Sequence, residues 1–438
     1  MQSSGGCRGL ISRRGFLKRG GALAAAIGLP CVVPATALGR EDVLAPSDRI
    51  TVGFIGMGKM AKGHLGSFLG DGRVQVLAIA DVERFRRERA ADRVNQHYAQ
   101  REGQGSYRGC EHYNDFRELC AREDLDAVVI ATPDHWHGLA AVEAAMNGKD
   151  IYLEKPMTRT IGEGQAVVEA VRRYGRMLQV GSQQRSDGTF RFACELVRNG
   201  RIGKVHTVHV NVGGPPEDDY LPPEPTPEGL DWDFWLGPAP WRPYNATFAP
   251  PESYEGWPSW RYYRDYAGGG MCDFGAHHYD IAQWGLGMDH TGPVQVLYPE
   301  DGGKITYVYE NGVRMHHGGG GAGAAVEWIG DRGRVLVNRG QFLKTDPPEL
   351  AHETIGPNEI HLYASDNHKD NWLEAVRTRR EPICPVEIGH HTANVCNIGN
   401  IAYWLKRSLK WDPANEVFVD DPEANRLINR PMRSPWQV

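Results

Sequence analysis

Two ionisable side chains four positions apart indicate a possible acid–base pair. Asp273 and His277 lie in the segment Gly268–Asp280, and residues four apart share one face of a helix. An aspartate beside a histidine orients the imidazole ring and stabilises its protonated form. Within a helix predicted over about 270–285, we expect Asp273 to orient His277 as a general base. Taken alone, the spacing is more often that of a structural pair on a helix surface.

A lysine at the end of a short apolar run suggests a second catalytic group. Glu154-Lys155-Pro156 directly follows the predicted strand 150–153, and open α/β sheets bind ligands at the carboxyl ends of their strands. An ammonium group there can donate to a substrate hydroxyl and favour its alkoxide, which hydride transfer requires. By itself, the tripeptide is more often a surface turn.

A glycine-rich turn between a strand and a helix predicts a dinucleotide site. Gly56 permits the tight turn, Gly58 lets the backbone approach a pyrophosphate, and Ala61 allows close helix–strand packing. The start of the following helix favours the phosphate charge. The predicted contacts on this turn are Gly56, Met57, Gly58, Lys59 and Met60.

A carboxylate at the end of the next strand bears on the choice of cofactor. Asp81 follows Gly56 by 25 positions, and a carboxylate there bonds the adenosine ribose hydroxyls and repels a 2′-phosphate. We therefore favour NAD, and NADP stays open because Arg84 and Arg86 lie close by in the sequence.

Alternating strands and helices must position these residues. Apolar runs predict strands over 50–55, 74–80, 126–131, 150–153 and 177–180, with helices over 60–69, 82–100 and 137–146. Such alternation implies a parallel sheet with right-handed crossovers. We assign 49–185 to a Rossmann domain.

The pattern changes near residue 186, where a second domain over 186–438 is predicted. Period-two alternation indicates a half-exposed strand over 204–212, a loop rich in Pro, Trp and Tyr covers 213–266, and further strands and two late helices follow. The predicted strands are 293–298, 304–309, 325–329 and 334–338, and the helices are 366–379 and 387–409.

The ordered set of motifs resembles the glucose–fructose oxidoreductase, inositol dehydrogenase and MocA-type (Gfo/Idh/MocA) family. The resemblance covers nearly all of 49–438. It rests on Gly56-Met57-Gly58, Ala131-Thr132-Pro133-Asp134-His135-Trp136-His137, Glu154-Lys155-Pro156 and Gly270-x-x-Asp273-x-x-x-His277-x-x-Asp280. The chain departs from the family's commonest fingerprint at Lys59-Met60-Ala61.

The resemblance implies an α/β fold, with a Rossmann domain and a C-terminal α/β domain. The open, mostly antiparallel or mixed sheet of that second domain often forms a subunit interface, so a dimer or tetramer is expected. The resemblance also implies that Lys155, Asp273 and His277 form the catalytic trio. It places Thr132, Pro133, Asp134, His137 and Glu154 along the nicotinamide half of the cofactor site, which also includes Lys155.

Charge and hydropathy exclude several classes of protein. The first 37 residues carry five basic and no acidic side chains, which leaves 44 basic residues against 55 acidic ones in the remainder. An acidic chain lacks the basic footprint of a nucleic-acid binder. No uninterrupted apolar run approaches the roughly 20 residues that span a bilayer, so no stable membrane insertion is expected.

The first segment is typical of a targeting signal. Arg13-Arg14 precede a mildly apolar run, and Ala35-Thr36-Ala37 resembles a cleavage site. We interpret 1–37 as a twin-arginine-type signal, 38–48 as a linker and the mature protein as periplasmic or otherwise exported. That machinery carries folded proteins, which suits an enzyme that acquires its dinucleotide, expected to be tightly bound, before export. A disordered basic tail is the alternative.

Two weaker features are open to more than one interpretation. The aromatic residues of the long loop could stack on sugar rings, although anchoring of the loop by buried apolar area is favoured. They are Trp232, Trp235, Trp241, Trp257, Trp260, Tyr262, Tyr263 and Tyr266. Histidine doublets at 277–278, 316–317 and 390–391 lie in different elements, so no metal site is predicted.

Three functions remain. The leading hypothesis is an NAD(P)-dependent dehydrogenase or reductase of a secondary alcohol on a sugar, cyclitol or sugar derivative. The second keeps the site but recycles NAD: transient oxidation to a keto sugar, then elimination and hydration, cleaves a glycoside. Lys155 favours ordinary dehydrogenation, because glycosidases of this family often lack that lysine. The third is a non-catalytic, dinucleotide-bound sugar-binding protein, against which Lys155, Asp273 and His277 together argue.

Overall fold

The fold is that of a computed structural model, which describes residues 45–102, 107–218 and 220–438. Pro46–Asp48 form one turn of 3₁₀ helix. Ile50–Val438 form one compact unit. The twin-arginine signal and most of the predicted linker lie outside the described residues. Within the described ranges, no helix combines the length and the apolar character needed to cross a membrane.

The first half of the compact unit is built on a six-stranded parallel sheet. Its strands lie in the order β3-β2-β1-β4-β5-β6, the doubly wound arrangement in which the crevice beyond the carboxyl ends binds a dinucleotide. The sheet confirms the predicted Rossmann fold. The strands are β1 (Ile50–Ile55), β2 (Val74–Ala80), β3 (Glu111–Tyr113), β4 (Ala127–Ile130), β5 (Asp150–Leu153) and β6 (Leu178–Val180).

Helices on both faces of this sheet bury its apolar side chains. They are α1 (Lys59–Leu69), α2 (Arg84–Glu102), α3 (Phe116–Cys120), α4 (Asp134–Met146) and α5 (Ile161–Arg173). The sequence interpretation missed α3 and α5. For α5 a signal existed: Thr160 and Glu163 form a capping box, in which each side chain bonds the other's backbone N–H.

The second half contains a nine-stranded mixed sheet in the order β13-β12-β11-β7-β10-β9-β8-β14-β15. Only the β7–β10 pairing is parallel, and the other pairings are antiparallel. This confirms the predicted open, mostly antiparallel sheet. The strands are β7 (Val205–Val210), β8 (Gln295–Leu297), β9 (Thr306–Val308), β10 (Arg314–His317), β11 (Val326–Gly330), β12 (Gly333–Asn338), β13 (Phe342–Asp346), β14 (Leu409–Asp412) and β15 (Val417–Phe418).

The helices of the second half pack partly on this sheet and partly elsewhere, as with Trp372 and Leu373, which are buried in the Rossmann core. They are α6 (Gly188–Arg198), α7 (Trp232–Leu236), α8 (Gly269–Asp273), α9 (Gly275–Leu286), α10 (His368–Thr378), α11 (Val386–Leu405) and α12 (Pro422–Asn425). The continuous helix predicted over 270–285 is wrong. It is interrupted at Phe274, whose carbonyl accepts hydrogen bonds from the backbone N–H groups of both His277 and His278 at 3.0 Å.

The last predicted helix extends too far at its C-terminal end. The predicted segment 387–409 forms helix α11 only up to Leu405; residues 406–408 form a turn, and Leu409 begins β14. Lys406 caps the helix in the left-handed conformation, with φ at 52°. A residue in that conformation breaks the helical hydrogen-bond ladder, so the chain turns and pairs with β8 instead.

The aromatic segment is largely a small core of its own. Trp232, Trp235, Tyr244, Phe248 and Tyr266 are buried together, and Trp232 stacks on Trp235 at 4.8 Å between ring centroids. For these residues, the interpretation that aromatic side chains anchor the long loop is confirmed.

Candidate active site

A cleft of about 1150 Å³ lies at the carboxyl edge of the parallel sheet. Its walls come from the ends of the Rossmann strands, from the aromatic loop and from helices α8 and α9. Almost every site residue predicted from the sequence lines it: Gly56, Met57, Gly58, Lys59, Met60, Asp81, Thr132, Pro133, Asp134, Glu154, Lys155, Asp273 and His277.

The glycine turn has the geometry of a phosphate cradle. Gly56 has φ at 85°, and a Cβ there would lie 2.8 Å from the backbone oxygen of Ala131, so no side chain fits. Gly58 begins α1 with no side-chain cap. The first N–H groups of the helix are therefore available to a phosphate at the positive end of the helix dipole.

Asp81 holds the turn from the end of β2. Its Oδ2 accepts a hydrogen bond from the backbone N–H of Met57 at 2.6 Å, and its Oδ1 accepts from that of Glu83 at 2.8 Å. Each carboxylate oxygen has a second lone pair. The side chain can therefore fix the glycine turn and still accept from ribose hydroxyls.

The loop after β4 supplies polar atoms beside the glycine turn. Thr132 has a buried hydroxyl without a hydrogen-bond partner in the described residues, and Pro133 directly precedes α4. Burial and the nearby charge of Asp273 raise the pKa of Asp134 to about 7. Asp134 therefore changes charge near neutral pH.

Glu154 belongs to a buried polar network beneath the cleft. Its Oε1 accepts from Gln183 at 2.9 Å and lies 2.8 Å from Nε2 of His64. Burial acts to raise the pKa of Glu154, but the His64 hydrogen bond and the charge of Lys155 outweigh it, and the pKa is lowered. The carboxylate is thus kept ionised next to Lys155.

Lys155 is paired with Asp273 across the two halves of the unit. Its Nζ donates to the Asp273 carboxylate oxygen Oδ1 at 2.7 Å and to the Asp273 backbone oxygen at 2.9 Å. The expectation that Asp273 orients the His277 ring is wrong: no hydrogen bond joins these two side chains among the described residues. The lysine charge, 118 positions away in the chain, is the stronger partner for the carboxylate.

His277 faces the cleft with a neutral ring. Burial, with Lys155 and Arg339 as neighbouring positive charges, lowers its pKa well below the ordinary value. Nδ1 is buried and makes no hydrogen bond to the described residues. At neutral pH the ring is therefore a proton acceptor that the protein does not hold in one tautomer.

Two histidines support the site without lining the cleft. His137, which the resemblance placed in the cofactor site, is buried with Nδ1 2.7 Å from the Pro156 oxygen and Nε2 3.0 Å from the Thr132 oxygen. It braces the loops after β4 and β5. His278 points away from His277, with Nδ1 2.7 Å from the backbone oxygen of Asn211.

Several cleft residues escaped the sequence interpretation. Arg261, Arg339 and Gln184 line the cleft close to Asp273 and His277. They come from the aromatic loop, from the β12–β13 turn and from the segment after β6. No short motif marks them, because each reaches the site only through the tertiary fold.

The aromatic loop also runs along the glycine turn. Nζ of Lys59 donates to the Glu255 backbone oxygen at 2.7 Å and lies 5.0 Å from the Trp257 ring centroid. Arg86 donates to the Pro250 oxygen at 2.7 Å. Residues 250–257 thus form a strap along the cofactor side of the cleft.

The residues present fit a dinucleotide. A cradle that excludes a Cβ at Gly56, uncapped helix N–H groups, the Asp81 carboxylate and the unpartnered Thr132 hydroxyl meet in one cleft. A family model described as "Oxidoreductase family, NAD-binding Rossmann fold" matches residues 50–182, and its partner, "Oxidoreductase family, C-terminal alpha/beta domain", matches residues 216–438. The chain belongs to the Gfo/Idh/MocA oxidoreductase family. Its cofactor is therefore a nicotinamide dinucleotide.

Curated relatives of this oxidoreductase match over part of their length. It is 30% identical over 175 residues to "Uncharacterized oxidoreductase YrbE" of Bacillus subtilis, covering 40% of this chain and 48% of that protein. It is 30% identical over 209 residues to a "Glycosyl hydrolase family 109 protein" of Shewanella baltica, covering 44% of each. The match thus spans less than half of either relative.

Solved structures share the fold over most of the chain. The WlbA dehydrogenase from Bordetella pertussis, in complex with NADH and UDP-GlcNAcA, has a TM-score of 0.56 at 19% identity, covering 83% of this chain and 98% of that chain. The aldose-aldose oxidoreductase from Caulobacter crescentus has a TM-score of 0.55 at 18% identity, covering 83% and 99%. At these identities the likeness concerns the fold.

Proposed function

We propose that this oxidoreductase interconverts a secondary alcohol and a ketone on a sugar, cyclitol or sugar derivative. The observation that carries the proposal is that Lys155 and His277 line the same cleft as the dinucleotide cradle. A bound nicotinamide would accept the hydride from the carbinol carbon, or supply it in reverse. The protein must then handle one proton, the one on the alcohol oxygen.

His277 is the group that accepts this proton. Its lowered pKa keeps the ring neutral at pH 7, so it can take the proton as the carbonyl forms and return it in the reverse direction. Among the described residues, Nδ1 has no hydrogen-bond partner. Either tautomer can therefore form, and one ring nitrogen can carry the proton while the other accepts one from the substrate.

Lys155 stabilises the oxygen as negative charge develops on it. The ammonium carries three donors, and its Nζ is fixed by two hydrogen bonds to Asp273. A third donor remains for substrate oxygen. Asp273 thereby acts as a positioning residue for Lys155.

We further propose NAD as the preferred and tightly held cofactor. Asp81 lies where a 2′-phosphate would meet a carboxylate. The two arginines that left NADP open are engaged, since Arg84 donates to Glu228 at 2.8 Å and Arg86 to Pro250. The strap over 250–257, tied to Lys59, favours retention of the nucleotide.

The test begins with the nucleotide that copurifies with the protein, identified by mass spectrometry. The holoenzyme is then screened against sugars and polyols for absorbance change at the reduced nicotinamide band. We expect turnover with at least one of them, and a loss of it in Lys155→Met with nucleotide content unchanged. Turnover at the native rate in Lys155→Met would overturn the proposed mechanism.

A second candidate is glycoside cleavage with recycled NAD. The glycosyl hydrolase family 109 relatives favour it, as does the tight cofactor binding proposed here. Stoichiometry separates the two functions. Net oxidation yields one reduced nicotinamide per product, whereas recycling releases sugar from an aryl glycoside with no net absorbance change at the nicotinamide band.

Export and assembly are also proposals. The Arg13-Arg14 signal supports twin-arginine export to the periplasm. The open nine-stranded sheet supports a homo-oligomer, because its face across β7 and β10 carries half-buried side chains such as His209 and His316, whose rings stack at 5.1 Å. Light scattering of the purified protein measures the oligomeric state, and a monomer would contradict the second proposal.

A further inference from the structure

Arg261 is a buried cation without a hydrogen bond. It lies in a 3₁₀ turn, Ser259–Tyr262, and is 9% exposed. Its guanidinium packs against the rings of Trp257 and Trp260, at 5.0 and 5.2 Å from their centroids. Within the described part of the chain, its Nε is fully buried and makes no hydrogen bond.

The nearest carboxylate already serves another cation. Nε of Arg261 lies 3.6 Å from Oδ2 of Asp273, beyond hydrogen-bond distance, while Oδ1 of the same carboxylate accepts from Lys155. Buried polar groups are nearly always hydrogen-bonded, and exceptions call for an explanation. Stacking on two indole rings offsets part of the desolvation of the guanidinium but gives its N–H groups no acceptor.

A second arginine reaches the same end of the cleft. Arg339, in the turn between β12 and β13, lines the cleft and lies 5.2 Å from the Phe274 ring centroid. With its amide oxygen turned to this arginine, Gln184 accepts from Nε at 2.9 Å and donates from its amide nitrogen to the His277 oxygen at 3.2 Å. Gln184 therefore holds Arg339 beside the proton-accepting histidine.

We propose that the substrate is an acidic sugar whose carboxylate is bound by Arg261, with Arg339 as a second positive charge. A guanidinium presents two parallel N–H donors that match the planar carboxylate. Proximity to Asp273, the partner of Lys155, places this anion site beside the proposed reacting groups. The inference rests on the proposed function, because it assigns the substrate class of that same site.

The experiment compares matched sugars on the holoenzyme. D-glucuronate and D-galacturonate are each paired with the neutral parent sugar, and glucose 6-phosphate provides a phosphate arm. Binding is measured by calorimetry and turnover as kcat/KM. We expect both uronates to bind about 10–100-fold more tightly than the neutral sugars, the range of a charge-assisted hydrogen bond. Equal binding of acidic and neutral sugars, or preference for the phosphate, would overturn the proposal.

Variants locate the effect. Arg261→Gln should remove most of the preference for uronates, and Arg261→Lys, which keeps the charge but loses the fork, should retain part of it. Arg377→Gln, a surface arginine paired with Glu374 at 2.9 Å, is the matched control and should change nothing. If Arg261→Gln weakens NAD binding by the same factor as uronate binding, Arg261 belongs to the cofactor site and the proposal fails.

Different results would overturn the dehydrogenase function and the acidic-sugar assignment. Turnover of neutral sugars without discrimination would leave the proposed function intact and overturn the acidic-sugar assignment. Arg261-dependent uronate binding without turnover by any sugar would support the anion site and overturn the dehydrogenase function. A poorly folded variant is recognised by a lowered thermal unfolding temperature, and the conservative Arg261→Lys then decides.

Discussion

Nζ of Lys155 donates to the Asp273 carboxylate at 2.7 Å, and this contact joins the end of a Rossmann strand to a helix of the second half. Both side chains are about four-fifths buried, with 17% and 20% of their side-chain surface exposed. A charge-assisted hydrogen bond in such a setting fixes the ammonium more strongly than an exposed pair does. Asp273 therefore positions Lys155, and His277 lies in the same cleft.

The first prediction is that Lys155 and Asp273 act as one unit. Lys155→Met and Asp273→Asn should each lower kcat by about 10²–10³-fold, the scale of a lost electrostatic contact to the reacting oxygen. The double variant should be no slower than the worse single variant, because each substitution already removes the positioned ammonium. Steady-state kinetics of the cycle decides; additive losses would show that Asp273 acts independently of Lys155.

The second prediction separates two neighbouring histidines. His277→Ala should lower kcat by about 10²–10⁴-fold, because it removes the general base, with NAD affinity nearly unchanged. His278→Ala should lower it much less, since that ring bonds the Asn211 backbone outside the cleft. Activity per unit of bound NAD is the measurement. Equal damage from both substitutions would contradict the assigned base.

The third prediction concerns the cofactor. Asp81→Ala should weaken NAD binding by about 1.5–3 kcal/mol through lost charge-assisted hydrogen bonds, and should weaken NADP binding less or strengthen it. Fluorescence titration with both cofactors checks this, with Asp92→Ala, an exposed position on α2, as control. Because Asp81 also bonds Met57, equal weakening of both cofactors would mean that it only shapes the turn.

The fourth prediction is a loss of stability in acid. Burial lowers the pKa of His135 to about 3, and of His278 and His368 to about 4. Below an ordinary histidine pKa of about 6.5, the unfolded chain binds protons that the folded chain does not. The contribution of these three histidines to the free energy of unfolding should thus be constant above pH 6.5. It should fall as the pH drops towards 4.

Thermal unfolding between pH 8 and pH 5 measures this effect. His368→Gln should reduce the slope of unfolding free energy against pH by the amount that corresponds to about one bound proton. His361→Gln, at an exposed position, should leave that slope unchanged. Asp134 works in the opposite sense, because its raised pKa of about 7 makes the folded form bind more protons between about pH 4 and pH 7. Asp134→Asn should therefore steepen the acid loss; a flatter curve would contradict the assignment.

The fifth prediction concerns export, and its residues lie outside the described part of the chain. Replacement of Arg13 and Arg14 by lysine should leave the precursor uncleaved and unexported. Fractionation of cells that express each form, with immunodetection, measures the outcome. Normal processing of the lysine form would exclude the twin-arginine route.

Local patterns predicted much of the fold. The strand predictions over 74–80 and 150–153 are confirmed at both ends, because a buried parallel strand is a nearly continuous apolar run closed by polar or turn residues. The short strands Glu111–Tyr113 and Arg314–His317 were missed. Their residues are largely polar or exposed, so pairing with a neighbouring strand defines them, and no apolar pattern does.

The sequence by itself determined the fold class, the glycine cradle and the side chains that carry the proposed chemistry, since each depends on residue types within a short stretch. Only the tertiary structure decided which partners those side chains take. The spacing predicts a pair of Asp273 with His277, yet Asp273 accepts a hydrogen bond from Lys155 in the other half of the compact unit. Arg261 and Arg339 reach the cleft without any motif. A buried charge is stabilised by an opposite charge close to it in space. Only the folded chain sets the distance between the two charged groups.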